Sequence, residues 1–178
     1  MSLRWVSISL LAASIGLTGC SSTTQEGATG VNRKQLLLVS SEEVNAMSSK
    51  GYQDMLAQAR QKNVLNRDAA MLARLRGIAN RLVPQVNTFR PDARGWQWEV
   101  NTIQSNELNA FVMPGGKVMF YTGIVSRLQL TDAEIAAIMG HEIAHALREH
   151  ARERMSRDVA QQTGLGILAS VVGLSEGQ

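Results

Sequence analysis

The chain has 178 residues, of which 44% are hydrophobic and 19% are charged. This is enough chain and enough apolar content for one folded domain, and too much apolar content for a disordered protein. The formal net charge is only +3, and the basic residues are spread out without an aromatic-interleaved basic patch. We therefore expect no nucleic-acid partner.

The N-terminus has the features of an export signal. Arg4 is followed by an apolar stretch over residues 6–17, which is too short to span a bilayer comfortably. The stretch ends in Leu-Thr-Gly-Cys, which resembles the lipobox of bacterial lipoprotein signal peptides. The resemblance implies that residues 1–19 are removed and that Cys20, the only cysteine, is lipidated. An ordinary signal peptide or a buried helix with a core cysteine are the alternatives.

A lipid on the cysteine predicts a protein anchored to a membrane rather than spanning it. Ser21 follows the cysteine, and by resemblance to Gram-negative sorting rules this favours the outer membrane, facing the periplasm, over the inner membrane. The small polar composition that comes next predicts a flexible tether over residues 20–35. The remaining residues, 36–178, form the domain.

Helical spacing of apolar residues predicts helices over residues 40–62 and 67–83, the second capped by Asn66. Alternation predicts a strand over residues 96–100. Two further strands, over residues 110–113 and 117–121, flank a Pro-Gly-Gly hairpin turn. A Thr-Asp-Ala-Glu capping box at residues 131–134 then opens a helix that is apolar nearly all round, which we expect to be central and buried.

This helix carries the motif His141-Glu142-Ile143-Ala144-His145. Two histidines four residues apart lie about 40° apart around a helix axis, so both can point at one ion. Glu142 lies about 100° from His141, where it can act on water without being a ligand. This spacing indicates a zinc peptidase site with one Zn²⁺ per chain, two histidine ligands and Glu142 as general base. Two core histidines bonded to backbone or to Glu142 are the alternative.

A catalytic zinc needs a third protein ligand. The metzincin pattern is excluded, because Arg148 and Ala151 stand where it requires glycine and histidine. His150 lies about 180° from His141 if the helix continues. Nothing in residues 148–153 indicates a break, so we expect His150 behind the ligands or at the surface. A glutamate from a later helix remains as the candidate for the third ligand.

Three segments, in order, resemble the HtpX-like family of zinc metallopeptidases, which includes the CAAX prenyl proteases and periplasmic lipoprotein proteases. They are residues 106–118 with Asn-Ala-Phe and Pro-Gly-Gly, residues 121–124, and residues 131–145. The resemblance covers roughly residues 67–154. It implies an α+β, mainly helical minimal gluzincin domain with a small sheet and a central active-site helix.

The same resemblance implies the roles of individual residues. It makes His141 and His145 the zinc ligands and Glu142 the catalytic base. An edge strand and the turn beside it would bind extended polypeptide substrate, through Asn109, Ala110, Phe111, Gly115 and Gly116. A plain strand end is the alternative for Asn109 to Phe111.

The chain departs from the family at the third ligand, the glutamate of a Glu-x-x-x-Asp motif well past the histidines. Residues 146–178 hold no such motif. Glu153 is too close to the histidines along the sequence, and Glu176 is only two residues from the last residue. Residues 164–174 are apolar, like a core helix without its partners. We therefore interpret residues 36–178 as the N-terminal part of a peptidase domain whose C-terminal part is missing, with the third ligand expected beyond residue 178.

Two functions are compatible with these features. The first is a lipid-anchored zinc metalloendopeptidase that hydrolyses unfolded or misassembled cell-envelope proteins. The second is a catalytically inactive truncated lipoprotein or a chaperone-like peptide-binding protein. Glu142 favours the first, because a pure binder needs no base beside two histidines. The absent third ligand favours the second and predicts weak zinc binding and little activity for this chain alone.

Overall fold

The computed structural model describes residues 20–25 and 33–163. The predicted signal peptide, the apolar stretch of residues 164–174 and Glu176 lie outside the described residues. The elements, in chain order, are β1 (Cys20–Ser21), β2 (Gln35–Leu36), α1 (Ser41–Gln61), α2 (Ala69–Leu82), 3₁₀ helices Val83–Thr88 and Pro91–Gly95, β3 (Glu99–Ile103), β4 (Ala110–Met113), β5 (Lys117–Tyr121), α3 (Thr122–Arg127), α4 (Asp132–Leu147) and α5 (His150–Gln162). Helices around a small sheet confirm the predicted α+β class.

The main sheet has three strands in the order β3-β5-β4. The central strand β5 pairs parallel with β3 and antiparallel with β4. Its two faces are buried under different helices, because side chains alternate along each strand. On one face Met119 packs with Tyr52 and Leu56 of α1. On the other, Val118 and Phe120 join the core formed with α2 and α4.

The two predicted strands around the hairpin are confirmed residue for residue. Pro114 and Gly115 occupy the centre of the turn, which the Gly116 N–H closes by donating to the Met113 carbonyl at 3.2 Å. Gly115 has φ +80°, the conformation that the third position of a type II turn requires. This turn chemistry fixes the pairing of β4 with β5.

The first predicted strand was placed too early. It begins at Glu99, because residues 91–95 form a 3₁₀ helix whose end at Trp96 is still outside the sheet. Trp96 and Trp98 stack on each other with ring centroids 5.7 Å apart. The next turn glycine, Gly116, lies directly against the Trp98 ring.

The helix starts follow their capping residues. Ser40 caps α1, and the Thr131–Glu134 capping box opens α4 as predicted. The predicted cap Asn66 was wrong: Asp68 caps α2, and Asn66 has a left-handed backbone and accepts the Thr102 N–H through its side chain.

Helix α4 packs against β4, α2 and α5, which places it centrally. The expectation that it is buried nearly all round was wrong for one face. Its buried residues form a single stripe, Ile135, Met139, Ile143, Ala146 and Leu147. The opposite face, with His141, Ala144 and His145, is exposed in the described structure.

The described parts of the predicted tether lie against the domain. Strand β1 pairs antiparallel with β2, and the Gln25 N–H donates to the Phe89 carbonyl at 2.9 Å. Strand β2 in turn packs on α5. Of the helices in residues 20–25 and 33–163, none has the length and apolar character needed to cross a membrane.

The hairpin gives a stability prediction. A Cβ at Gly116 would lie 2.8 Å from the Trp98 ring at φ +83°, so Gly116→Ala should lower the free energy of unfolding by about 2 kcal/mol. Gly77→Ala is the matched control, because nothing lies within 4 Å of that position in α2; it should raise stability by about 0.5–1 kcal/mol. Urea unfolding measures both, and equal effects of the two substitutions would contradict the assignment.

Candidate active site

The two motif histidines meet on the exposed face of α4. Their Nε2 atoms lie 2.9 Å apart and their rings are nearly perpendicular. Two nitrogen ligands at ordinary zinc distances and a tetrahedral angle are about 3.3 Å apart, so His141 and His145 fit one zinc ion with little adjustment. Imidazole nitrogen is also a preferred zinc donor. The structure therefore brings together the two predicted ligands.

Glu142 lies on the flank of this face and is half-buried. Its carboxylate accepts no side-chain or backbone hydrogen bond from residues 20–25 or 33–163. A carboxylate that is next to both histidines and not engaged in an ion pair can accept a proton, which is what a general base must do.

The described residues do not complete a metal site. Among them, no cluster of three or more histidine, cysteine, aspartate or glutamate side chains is placed to hold an ion. Glu153 is excluded as a ligand, as predicted, because both of its oxygens are bonded to Arg33, at 2.7 and 2.6 Å. The position of the third ligand beyond residue 178 stays a prediction.

The prediction that the active-site helix continues past the motif was wrong. Helix α4 ends at Leu147, Glu149 has a left-handed backbone with φ +50°, and α5 begins at His150. The change of direction carries His150 back to His145, where their Nδ1 atoms lie 2.5 Å apart. Because His141 is on the Nε2 side of the same ring, His150 lies behind the predicted ligand His145 and not beside it.

The environment of His150 favours its neutral form. Burial lowers the pKa of its imidazole, and the neighbouring His145, Arg33 and Arg148 lower it further, against the opposing effect of Glu153. A neutral imidazole keeps one nitrogen as an acceptor. His150 can therefore accept a hydrogen bond from the ring it touches.

The break between α4 and α5 is held by a buried carboxylate. Glu149 is only 6% exposed. Ser41 Oγ donates to it at 2.6 Å and Arg152 Nη1 at 2.9 Å, while Arg90 Nη1 lies 3.4 Å away. A left-handed non-glycine residue costs about 1–2 kcal/mol, which these charge-assisted contacts offset. The sequence shows no glycine here and so gave no local signal for the break.

The carbonyls at the end of α4 also find partners. Arg90 Nη1 donates to the Leu147 carbonyl at 3.1 Å, and Gln35 Nε2 donates to the Arg148 carbonyl at 2.7 Å. These groups would otherwise be unpaired at the helix end. Strand β2, through Gln35, and the link between the two 3₁₀ helices, through Arg90, therefore both contribute to ending α4 at this point.

A second buried carboxylate fixes α5. Glu153 is 5% exposed and accepts hydrogen bonds from Arg33, Gln35 and Arg157. Burial raises the pKa of Glu153, but the hydrogen bonds from Arg33 and Gln35 and the charges of Arg33 and Arg157 outweigh it and hold that pKa below its usual value. The ion pair ties the segment before β2 to the helix that carries His150.

Strand β4, which carries the predicted substrate-binding residues, is an edge strand beside α4. The Tyr121 N–H donates to the Asn109 carbonyl, and Phe111 faces Met119 in register. In an antiparallel pair, residues whose backbone groups bond the partner strand alternate with residues whose backbone groups point away from it. The N–H and C=O groups of Ala110 and Val112 consequently point away from β5, toward the free edge.

The remaining predicted substrate residues have structural roles of their own. The Phe111 side chain packs toward α1, with its ring 6.5 Å from that of Tyr121. Gly115 and Gly116 supply left-handed backbone to the hairpin turn. Contacts of these three residues with a substrate stay a prediction.

The start of α3 holds in place the segment that leads into β4. The sequence did not lead us to predict this contact. Thr122 Oγ1 bonds both backbone groups of Ser105, and the Gly123 N–H donates to the Ser105 carbonyl at 2.8 Å. A Cβ at Gly123 would lie 2.5 Å from the Asn106 carbonyl carbon. The Thr-Gly pair after β5 was the available signal.

Known proteins resemble the chain over this region. The family model described as Peptidase family M48 matches residues 70–178. The bovine mitochondrial metalloendopeptidase OMA1 is 30% identical over 125 residues, which are 70% of this chain and 23% of that protein. The Escherichia coli metalloprotease LoiP is 26% identical over 157 residues, 87% of this chain and 57% of LoiP.

A third relative is the beta-barrel assembly-enhancing protease of Yersinia pestis, 27% identical over 97 residues, 53% of this chain and 19% of that protein. The chain thus spans less than two thirds of the length of each of these relatives. No solved structure matches the chain.

The Glu153 ion pair gives a pH-dependent prediction. Because its pKa is lowered on folding, Glu153 stabilises the protein above the unfolded carboxyl pKa, and this stability is lost as the pH falls through the folded value. Glu153→Gln should cost about 2 kcal/mol at pH 7, a value reduced for the partial exposure of Arg33. Urea unfolding should show that the difference in the free energy of unfolding between the wild type and Glu153→Gln becomes smaller at acid pH.

The matched control is Asp158→Asn, at an exposed position of the same helix. It should change the free energy of unfolding little at any pH. A Glu153→Gln effect that is the same at pH 7 and at acid pH would contradict the ion-pair account.

Proposed function

This chain belongs to peptidase family M48, and from that premise we propose that it is a zinc-dependent metalloendopeptidase. His141 and His145 hold one zinc per chain, and Glu142 is the general base. The observation that carries the proposal is the 2.9 Å approach of the two Nε2 atoms on an exposed helix face, next to a carboxylate that accepts no hydrogen bond from the described residues. The family match supports the same assignment.

The chemistry that zinc supplies when bound is that of a Lewis acid, which makes water a better nucleophile near neutral pH. The residues of the chain do the rest. His141 and His145 would hold the ion in place beside Glu142, and Glu142 accepts the proton of the attacking water. The protonated Glu142 then returns that proton to the leaving amine of the cleaved peptide bond.

We propose that the substrate is an extended polypeptide that adds to the free edge of β4. The outward backbone groups of Ala110 and Val112 would pair with it, next to the helix that bears Glu142. Asn109 and Phe111 would contact it at the same edge, and Gly115 and Gly116 leave room beside the turn. A folded protein cannot offer such a strand readily, which favours unfolded or misassembled substrates.

We further propose a cell-envelope location, with the membrane reached through a lipid on Cys20 of an outer-membrane lipoprotein facing the periplasm. The lipobox resemblance supports this. So does the similarity to a bacterial protease named for assembly of beta-barrel proteins. A third zinc ligand would come from outside the described residues, since these supply only the two histidines.

Glu142→Gln tests the catalytic proposal in the full-length protein. The substitution removes the proton acceptor and keeps the size of the side chain and both zinc ligands. Cleavage of casein, an unfolded protein, should fall about 10²–10⁴-fold, while the zinc content measured by metal analysis stays the same.

Glu42→Gln, at an exposed position in α1, is the matched control and should cleave casein at the wild-type rate. Casein cleavage by Glu142→Gln at the wild-type rate would refute the role of Glu142 as the general base. Casein binding without any cleavage by the wild-type protein would instead support the peptide-binding function.

A further inference from the structure

We propose that His150 is a positioning residue for the zinc ligand His145. It accepts the Nδ1–H of His145 and so presents the Nε2 lone pair of that ring to the metal. The inference rests on the proposed zinc site, but the geometry behind it lies in the positions of the three histidines themselves. The Nδ1 atoms of the two rings lie 2.5 Å apart, and the Nε2 of His145 faces His141.

The contacts admit one consistent set of protons for metal binding. Nε2 of His145 can bind zinc only as a lone pair, so its Nδ1 must carry the hydrogen. That hydrogen points at Nδ1 of His150, which must then be the acceptor, with the proton of His150 on its own Nε2. A zinc-binding histidine usually donates a hydrogen bond from the N–H of its other ring nitrogen to a carboxylate, a carbonyl or water. Here a third histidine is in that place.

No other group in the described residues performs this role. The side-chain contacts of His145 there are with His141 and His150. His145 is exposed, so without a partner behind it the ring would keep several orientations and both neutral tautomers. Fixing one orientation and one tautomer before the metal arrives raises the affinity for zinc.

The position of His150 is itself fixed from several directions. The left-handed Glu149 turns the chain immediately before it, and the buried contacts of Glu149 with Ser41 and Arg152 hold that turn. One turn further along, Glu153 ties α5 to Arg33. His150 therefore acts from a rigid support and not from a free surface.

Two substitutions separate an acceptor from mere packing. His150→Phe keeps a ring and removes the acceptor, and should weaken zinc binding about 10–100-fold in competition with a chromogenic chelator. His150→Asn places an amide oxygen near the former Nδ1 and should restore most of the affinity. Arg154→Gln, at an exposed position on α5, is the control and should bind zinc like the wild type. Equal zinc affinity of the Phe variant and the wild type would overturn the proposal.

A second measurement needs no metal. Nitrogen NMR of the imidazoles in the zinc-free protein should show His145 with its proton on Nδ1 in the wild type and in His150→Asn. In His150→Phe the proton should move toward Nε2. A wild-type His145 protonated on Nε2 overturns the positioning role even if zinc binds.

The two proposals therefore fail differently. If the wild type binds no zinc, the zinc-site proposal fails, while the tautomer of His145 still decides the role of His150. If His150→Phe does not fold, the wild-type tautomer and the zinc affinity of His150→Asn decide it.

Discussion

The left-handed backbone at Glu149 is the constraint on which the site depends. It lies two residues after Leu147, where α4 ends, and directly before His150, where α5 begins. Without it, a continuous helix would carry His150 to the side opposite His141. With it, three histidines form a chain of contacts in which His145 is the middle ring.

This conformation depends on distant parts of the sequence. Ser41 from the first turn of α1 and Arg90 from the link between the two 3₁₀ helices contact the buried Glu149 carboxylate. Arg90 and Gln35 also pair with the last carbonyls around the end of α4. The N-terminal segment, which lies far from the motif in sequence, is thus part of the support of the candidate active site.

The difference between local and distant contacts explains what the sequence could predict. The capping box at Thr131, the Pro-Gly-Gly hairpin and the paired histidines are local patterns, in which the residues that determine a conformation also adopt it. The break at Glu149 is not local, because no glycine marks it and two of its partners, Ser41 and Arg90, are over 50 residues away in sequence. The exposure of the histidine face was missed because composition alone does not distinguish a one-sided apolar stripe from a helix buried all round.

The sheet completes the arrangement by leaving one edge open. Strand β4 is held by β5 on one side and by α4 across its face, so the outward backbone of Ala110 and Val112 lies beside the helix that bears Glu142. The side chains that anchor this strand, such as Val112, are buried in the core. An open edge next to two histidines and to Glu142, which accepts no hydrogen bond from the described residues, is the arrangement that the proposed peptide-bond hydrolysis requires.

The most direct test of the account is zinc-edge X-ray absorption of the zinc-loaded full-length protein. The account predicts two imidazole nitrogens at about 2.0–2.1 Å from zinc, and loss of both in a protein carrying His141→Ala and His145→Ala. A zinc spectrum that is unchanged by the double substitution would contradict it.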